Sequence, residues 1–330
     1  MKKALYVSLL AIILFFSCQE SGESEQVQER EYTVSIMARI GKSLPNARYK
    51  QDNENVNAEF AKTDDMGVFM DDADAVCWIF DGTAWSANNS IFWKDKDNTH
   101  IFCAYYPYSN SEAENKTRIK MPSLDSQSGS WENIAKYDFL VASKTLSYAE
   151  DRGNVAFSGE HSFKHVSSLL KINIKGEGEM AKAVIDDITL EGGDLITQTY
   201  YSFETNSVTT DDTVTKETFS IAPRHSMDSQ DATFYFILNG AKGDESANTK
   251  ATTVNPISLT VKYTISNKKY IAQRDGLSSG LLSGCIHEYN ILIKGGNVII
   301  TGGSISGWTP GNQVEDIIIK GEEEVSSINA

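Results

Sequence analysis

The chain has 330 residues, 40% of them hydrophobic, and a formal net charge of −15. The hydrophobic fraction excludes a chain that is disordered throughout, and the length suggests about two domains. The acidic balance excludes nucleic acid as a partner, because a phosphate backbone repels an acidic surface.

The N-terminus predicts an export signal. Two lysines follow Met1, and residues 5–16 are apolar but too short to span a bilayer. Ser17 then precedes Cys18, an order typical of a lipoprotein signal. We therefore expect residues 1–17 to be a signal peptide and Cys18 to be lipidated, which anchors a protein stably. An ordinary secretory signal is the alternative, but no A-x-A-like site lies nearby.

Residues 18–31 are polar and acidic, and they predict a flexible tether. Acidic residues directly behind a lipidated cysteine are similar to the surface-export signals of Bacteroides-type lipoproteins. We therefore expect an outer-membrane lipoprotein that faces the cell exterior.

The next segment has the most regular alternation in the chain. One face carries Tyr32, Val34, Ile36, Ala38 and Ile40, and the other carries Thr33, Ser35, Met37 and Arg39. Such a period of two predicts a half-buried strand. Residues 41–59 are polar and include Pro45, which predicts a loop or a cleavable linker.

Short strand patterns continue through the first half. We expect strands at residues 67–70, 76–80, 91–93, 101–106, 137–142 and 155–157. Asp81-Gly82, shortly before Trp85, predicts a hairpin turn. Residues 109–133 are rich in Ser, Asn and Glu and predict a long loop.

The second half alternates more sharply. We expect strands at residues 169–175, 233–238, 257–265, 289–294, 298–300 and 314–320. No segment keeps a helical period over three turns. Many short strands separated by turn signals predict an all-β fold of sandwich type. The two halves look similar in kind, without a clear repeat.

Motifs for catalysis or metal binding are missing from the sequence. The five histidines form no HExxH pattern, and no GxSxG or phosphate-loop motif occurs. Adjacent carboxylates, at 64–65, 71–72 and 211–212, lack the spacing of a calcium loop and predict solvated loops. We therefore expect no enzyme, no metal and no cofactor.

Cys77 and Cys103 lie in apolar, strand-like runs. They would either pair in an oxidising compartment or serve as small buried hydrophobic residues. The aromatic residues could form a platform for glycans, although their strand-like context favours the core. These residues are Trp85, Trp93, Trp131, Trp308, Tyr105, Tyr106 and Tyr108.

Several segments, in their order and spacing, resemble one protein family. They are DDMGVFM at 64–70, Trp85, FCAYYPY at 102–108, DFLVA at 138–142, FKHVSSLLKINI at 163–174, GLLSGCIHEYNILI at 280–293 and ISGW at 305–308. The chain resembles the fimbrillin (Mfa-like) family of outer-membrane lipoproteins, although Cys285 stands where another residue type is expected. The resemblance implies two transthyretin-like β-sandwich domains in tandem, at residues 32–155 and 156–330.

The resemblance also implies a pilus that assembles by strand exchange. A surface protease would cut after an arginine and remove the first strand, and a C-terminal strand of the next subunit would fill the groove. Here the removable strand is that of residues 32–40. Arg48 is the expected cleavage site, with Arg39 and Arg30 as alternatives. The expected donor strand lies at 314–320, with the apolar residues Val314, Ile317 and Ile319.

The expected partners are other pilus subunits, the outer membrane through the lipid, and a host or bacterial surface ligand. The subunit could be stalk, anchor or tip. In a second hypothesis residues 32–40 are a permanent strand. In a third, the chain is a surface adhesin or glycan-binding lipoprotein that never polymerises.

Overall fold

A computed structural model describes residues 32–41, 50–52, 55–57, 59–109, 115–192, 195–210, 218–228, 231–239, 257–278, 283–294, 297–307 and 322–323. This part of the chain is nearly all β, which confirms the all-β expectation. Its helices are short, at Trp131–Lys136, Tyr148–Asp151, Gly159–His161 and Gly178–Lys182. No described helix has the length and hydrophobicity that a membrane span requires.

In chain order the strands are β1 (Ser35–Ala38), β2 (Lys50–Asp52), β3 (Asn55–Asn57), β4 (Asp65–Met70), β5 (Val76–Phe80), β6 (Trp85–Ala87), β7 (Thr99–Tyr106), β8 (Ile119–Lys120), β9 (Leu140–Ser147), β10 (Asn154–Phe157), β11 (Lys164–His165), β12 (Ser168–Glu177), β13 (Val184–Gly192), β14 (Tyr200–Ser202), β15 (Ser207–Thr209), β16 (Phe219–Ile221), β17 (His225–Ser226), β18 (Ala232–Leu238), β19 (Ile257–Ile265), β20 (Lys268–Ser278), β21 (Cys285–Lys294), β22 (Asn297–Gly307) and β23 (Glu322–Glu323).

The first large sheet has six antiparallel strands in the order β11-β9-β7-β4-β5-β6. The predicted hairpin turn joins β5 to β6. Asp81 Oδ1 accepts the backbone N–H groups of Thr83 and Ala84 at 2.7 and 2.8 Å. Gly82 follows Asp81 with φ +103°, a conformation that favours glycine. The local sequence therefore sets this turn.

Side chains alternate between the two faces of this sheet. One face packs on an aromatic core cluster that includes Phe102, Phe157 and Phe163. On the opposite face, the Tyr105 ring lies across Gly67, where an added Cβ would stand 2.2 Å from Tyr105 Cε1. Gly67 is required because this close approach leaves no room for a side chain.

Two further sheets enclose the second core. One has the order β18-β12-β21-β22-β23, and the other has β16-β13-β19-β20 with β17 also on β13. Both supply the same buried cluster, for example Ile172 from β12 and Ile188 from β13. Two sheets around one apolar layer form a β-sandwich.

A third, smaller cluster connects the early and late parts of the chain. Phe69 and Phe139 belong to the early part, and Tyr201 belongs to β14 in the late part. β14 also pairs with β8, so residues near 120 and 200 share one three-stranded sheet. The number of tandem domains and their boundary at 155 and 156 stay predictions.

Some strand predictions differ from the structure. Residues 91–93 contain only an isolated bridge, Thr33 to Phe92. β9 begins at Leu140 rather than 137, because Tyr137 caps the helix Trp131–Lys136 and has helical backbone angles. The segments 314–320 and 1–31 lie outside the described residues, so the donor strand, the signal peptide and the tether stay predictions.

Candidate functional site

The first strand lies along one edge of the aromatic core and pairs in parallel with β10, from Ser35 beside Asn154 to Ala38 beside Phe157. The ladder continues beyond β1. Arg39 N–H donates to the Phe157 carbonyl at 2.9 Å, and the Arg39 carbonyl accepts from Phe163 N–H at 2.9 Å. The backbone groups along one edge of residues 35–39 are therefore hydrogen-bonded to β10 and Phe163.

At its N-terminal end the segment forms backbone hydrogen bonds with residues 91–93. Val34 N–H donates to the Ile91 carbonyl at 2.9 Å, and Trp93 N–H donates to the Tyr32 carbonyl at 2.8 Å. Beyond Val34, no described strand pairs with this second edge of β1. Among the described strands, the middle of β1 therefore has a hydrogen-bonded neighbour along one edge only.

Burial along the segment alternates as predicted. Val34 and Ile36 are buried, and Tyr32, Ala38 and Ile40 pack against the same aromatic cluster. Met37, which points to the opposite face, is 57% exposed. Removal of this segment would uncover apolar side chains of the core.

The side chain of Tyr32, at the start of the segment, contacts the Lys96 ammonium and the Tyr148 ring. Lys96 Nζ lies 4.3 Å from the centre of the Tyr32 ring and 5.5 Å from that of Tyr148. The two tyrosine rings are 5.8 Å apart, and Trp93 contacts Tyr148 edge to face at 5.9 Å. No local pattern marks Lys96 or Tyr148, because both come next to Tyr32 only through tertiary packing.

The predicted cleavage sites have different surroundings. Arg39 has an exposed side chain, but both of its backbone polar groups are hydrogen-bonded. Arg48 and Arg30 lie outside the described residues, as do Cys18, Val314, Ile317 and Ile319.

Cys77 and Cys103 are free thiols on the same face of the six-stranded sheet. Cys77 is on β5 and Cys103 on β7, with β4 between them. Two strand spacings separate their backbones by about 10 Å, too far for a disulfide. Burial raises the pKa of both thiols and of Cys285, and that of Cys103 reaches about 11.

Most of the candidate platform aromatics belong to the core. Trp85, Trp93, Tyr105 and Tyr106 are buried. Trp131 is half-buried, and its ring lies 4.7 Å from that of Tyr235. Tyr108 is also half-buried, and Trp308 lies outside the described residues.

Two buried histidines of the described residues each lie beside a carboxylate. His165 Nδ1 lies 2.8 Å from Asp138 Oδ2, and both side chains are buried. His100 Nδ1 lies 2.8 Å from Asp71 Oδ2 at the turn between β4 and β5. In the described part of the chain, no group of His, Cys, Asp and Glu side chains could hold a metal ion.

The sequence profile of one family, described as fimbrillin-like, matches residues 50–308. No curated protein matches the chain.

Solved structures share the fold at low sequence identity. A proposed cell adhesion protein from Bacteroides uniformis is 15% identical, with a TM-score of 0.57 over 84% of this chain and 98% of that one. Another, from Bacteroides ovatus, is 16% identical, with a TM-score of 0.59 over 85% and 99%. A fimbrial protein from Bacteroides vulgatus is 14% identical, with a TM-score of 0.51 over 84% and 100%.

Proposed function

The chain belongs to the fimbrillin-like family, and from this premise we propose that it is a structural pilus subunit that joins its neighbours by strand exchange. The family and the similar structures are fimbrial and cell adhesion proteins rather than enzymes, and they indicate a protein of the cell surface. Stalk, anchor and tip are all roles that such a subunit could take.

The observation that carries the proposal is the position of β1. It is engaged along one edge, by β10 and Phe163, while its apolar face fills the core. A cut in the linker after it would leave a strand held only by non-covalent contacts. Its loss would expose backbone groups and apolar pockets, and an added strand can satisfy both.

Arg48 is the better cleavage site on physical grounds. A protease must bind several residues of its substrate in an extended form, and the Arg39 backbone is already engaged in hydrogen bonds on β10 and Phe163. Arg48 stands in the polar linker that follows β1. A cut there would release the tether, Cys18 and β1 together.

In this scheme Cys18 carries the lipid that delivers the chain to the outer membrane, and residues 314–320 supply the strand for the next subunit. Val314, Ile317 and Ile319 are among its apolar side chains. The partners are therefore other pilus subunits, of this chain or a related one.

Mass spectrometry of protein recovered from surface fibres tests the proposal. We expect the mature chain to begin at Tyr49, and we expect Arg48→Ala to stay uncut and to abolish fibres in electron micrographs. Arg39→Ala is the matched control and should be cut and assembled normally. An intact N-terminus on lipidated Cys18 in every assembled molecule would contradict the proposal.

A second candidate function is glycan binding at Trp131. Its half-buried ring packs on Tyr235, and on the same sheet face Lys171 pairs with Glu288 at 3.2 Å. An aromatic ring beside fixed polar groups suits a sugar. A glycan array would show binding that Trp131→Ala abolishes; an empty array alongside visible fibres would exclude this function.

A further inference from the structure

We propose that Trp93, Lys96 and Tyr148 form a receptor, here called the aromatic receptor, for one aromatic side chain at the start of the strand beside β10. Tyr32 occupies it in this structure. Once β1 has left, the receptor selects a replacement strand that carries an aromatic residue at this position and belongs to a different kind of subunit. This second step rests on the strand exchange proposed above.

The contacts of Tyr32 are specific to an aromatic ring. The Lys96 ammonium lies 4.3 Å from the ring centre, where a cation is attracted to the negative face of the ring. The Tyr148 ring lies 5.8 Å away on a tilted plane, a favourable arrangement for two rings. An aliphatic side chain would lose both interactions, whereas phenylalanine would keep the ring.

The receptor is built on residues that do not leave with β1. Tyr148 begins the helical turn Tyr148–Asp151, where Glu150 accepts the Ser147 N–H at 2.7 Å. Arg152 caps the turn, and Gly153 follows with a φ of +85° that favours glycine; an added Cβ there would lie 3.0 Å from the Tyr148 ring. The position of Tyr148 is therefore set by its own turn and by Gly153 rather than by β1.

The receptor is also connected to the β1 backbone. The Gly153 carbonyl accepts both the Trp93 indole N–H and the Ser35 N–H, each at 3.2 Å. An incoming strand that repeats the Ser35 hydrogen bond therefore places its side chain three positions earlier at the receptor. The hydrogen bond to Gly153 therefore sets the register of the strand and so determines which of its side chains enters the receptor.

The C-terminal segment of this chain does not fit the receptor. Residues 314–320 contain no aromatic residue. If Trp308 took the place of Tyr32, Pro310 and Asn312 would take the buried places of Val34 and Ile36. Proline cannot donate to a ladder, and asparagine would be buried in an apolar core. The receptor therefore favours a strand from another subunit over one from a second copy.

A full-length chain with a specific protease site inserted in the 42–49 linker tests the receptor. After the cut, the N-terminal fragment is held non-covalently, and its release is measured against urea concentration. We expect Tyr32→Ala and Lys96→Met each to speed release roughly tenfold at a fixed urea concentration. Tyr32→Phe, and Met37→Ala on the exposed face, should release as the unsubstituted chain does. Equal release from the Tyr32→Ala and unsubstituted chains would overturn the receptor.

Exchange without urea tests the second step. Labelled peptides with the sequence of residues 31–41, with tyrosine or alanine at position 32, are added to the cut protein together with a peptide of residues 308–322. We expect the tyrosine peptide to enter at least about tenfold faster than the other two. Equal entry of all three would overturn selection. If none of the three peptides enters and release in urea still depends on Tyr32, strand exchange is refuted. The receptor would then serve only to hold β1 in place.

Discussion

Asp71 organises the turn between β4 and β5. Its carboxylate contacts His100 Nδ1, the Ile101 N–H and Lys94 Nζ at 2.8 to 2.9 Å. Burial raises the pKa of Asp71, but the hydrogen bonds with His100, Ile101 and Lys94 outweigh it and bring the pKa to about 2. The ionised form is therefore stabilised by folding.

The stability of the chain should follow this ionisation. Because the folded pKa is lowered, the stabilisation is complete above about pH 4 and is lost as the pH falls towards 2. We expect Asp71→Asn to cost about 1–2 kcal/mol at pH 7 and almost nothing near pH 2. Urea unfolding at several pH values measures this, with the exposed Asp74→Asn as control. A cost independent of pH would contradict it.

Cys103 should be chemically inert in the folded protein. Burial raises its pKa to about 11, although Lys116 acts in the opposite direction. The reactive thiolate is then about 100-fold rarer than in an ordinary cysteine. Iodoacetamide at pH 8 should label Cys103 at least about 100-fold faster in urea than in the folded chain, as followed by peptide mass mapping. Rapid labelling of the folded chain would contradict this.

Among the elements, β18 is an edge strand of its sheet, and one side chain takes up its free backbone groups. Gln127 Oε1 accepts the Ile237 N–H at 2.7 Å, and its Nε2 donates to the Ile237 carbonyl at 2.8 Å. Gly129 continues the contact, since its carbonyl accepts the Tyr235 N–H at 2.9 Å. Gln127 thus takes the place of a neighbouring strand.

Gln127→Ala should leave both polar groups of the buried Ile237 backbone unpaired. We expect a loss of about 2–4 kcal/mol in the free energy of unfolding. Gln127→Glu keeps the acceptor but, when ionised, cannot donate, so its cost should be smaller at pH 4 than at pH 7. Urea unfolding measures both, with exposed Ser126→Ala as control. A Gln127→Ala chain as stable as the original would refute this role.

The elements predicted best from the sequence had either uninterrupted alternation, as in β12 and β19, or a continuous apolar run, as in β18. β19, at Ile257–Ile265, has the predicted bounds, and β12 and β18 were found nearly whole. β13 went unpredicted because a bulge between Ile185 and Asp187 breaks its period of two. β20 was missed because it is an edge strand with polar residues on its exposed positions.

The candidate site was predictable only in part. The alternation of residues 32–40 identified the buried face of β1, since that pattern is local. The partners of this face, Phe163, Tyr148 and Lys96, are distant in the sequence and carry no local signal of their proximity. The fold alone brings them together.

At the scale of the molecule, the small cluster around Tyr201 should make unfolding cooperative. Tyr201 is buried, and its ring lies 5.9 Å from Phe139 and 5.1 Å from Phe203. It therefore connects the six-stranded sheet to the later part of the chain.

We expect a single calorimetric transition for the unsubstituted chain. Tyr201→Ala should cost about 3–5 kcal/mol and split or broaden that transition, because the contact between the two parts is lost. Ile172 lies within one cluster, so Ile172→Ala should lower Tm and keep a single transition. A single sharp transition in Tyr201→Ala would show that the two parts are coupled elsewhere.

The parallel pairing of β1 with β10 gives the proposed fibre a polarity. An occupant that repeats the β1 hydrogen bonds must run from the Tyr32 end towards Phe163. If that occupant is the C-terminal strand of a neighbour, the neighbour's folded body precedes it and lies on the Lys96 side. Every contact between subunits then has the same direction, so the two ends of a fibre differ. One end presents an open groove beside β10, and the other presents a free C-terminal strand.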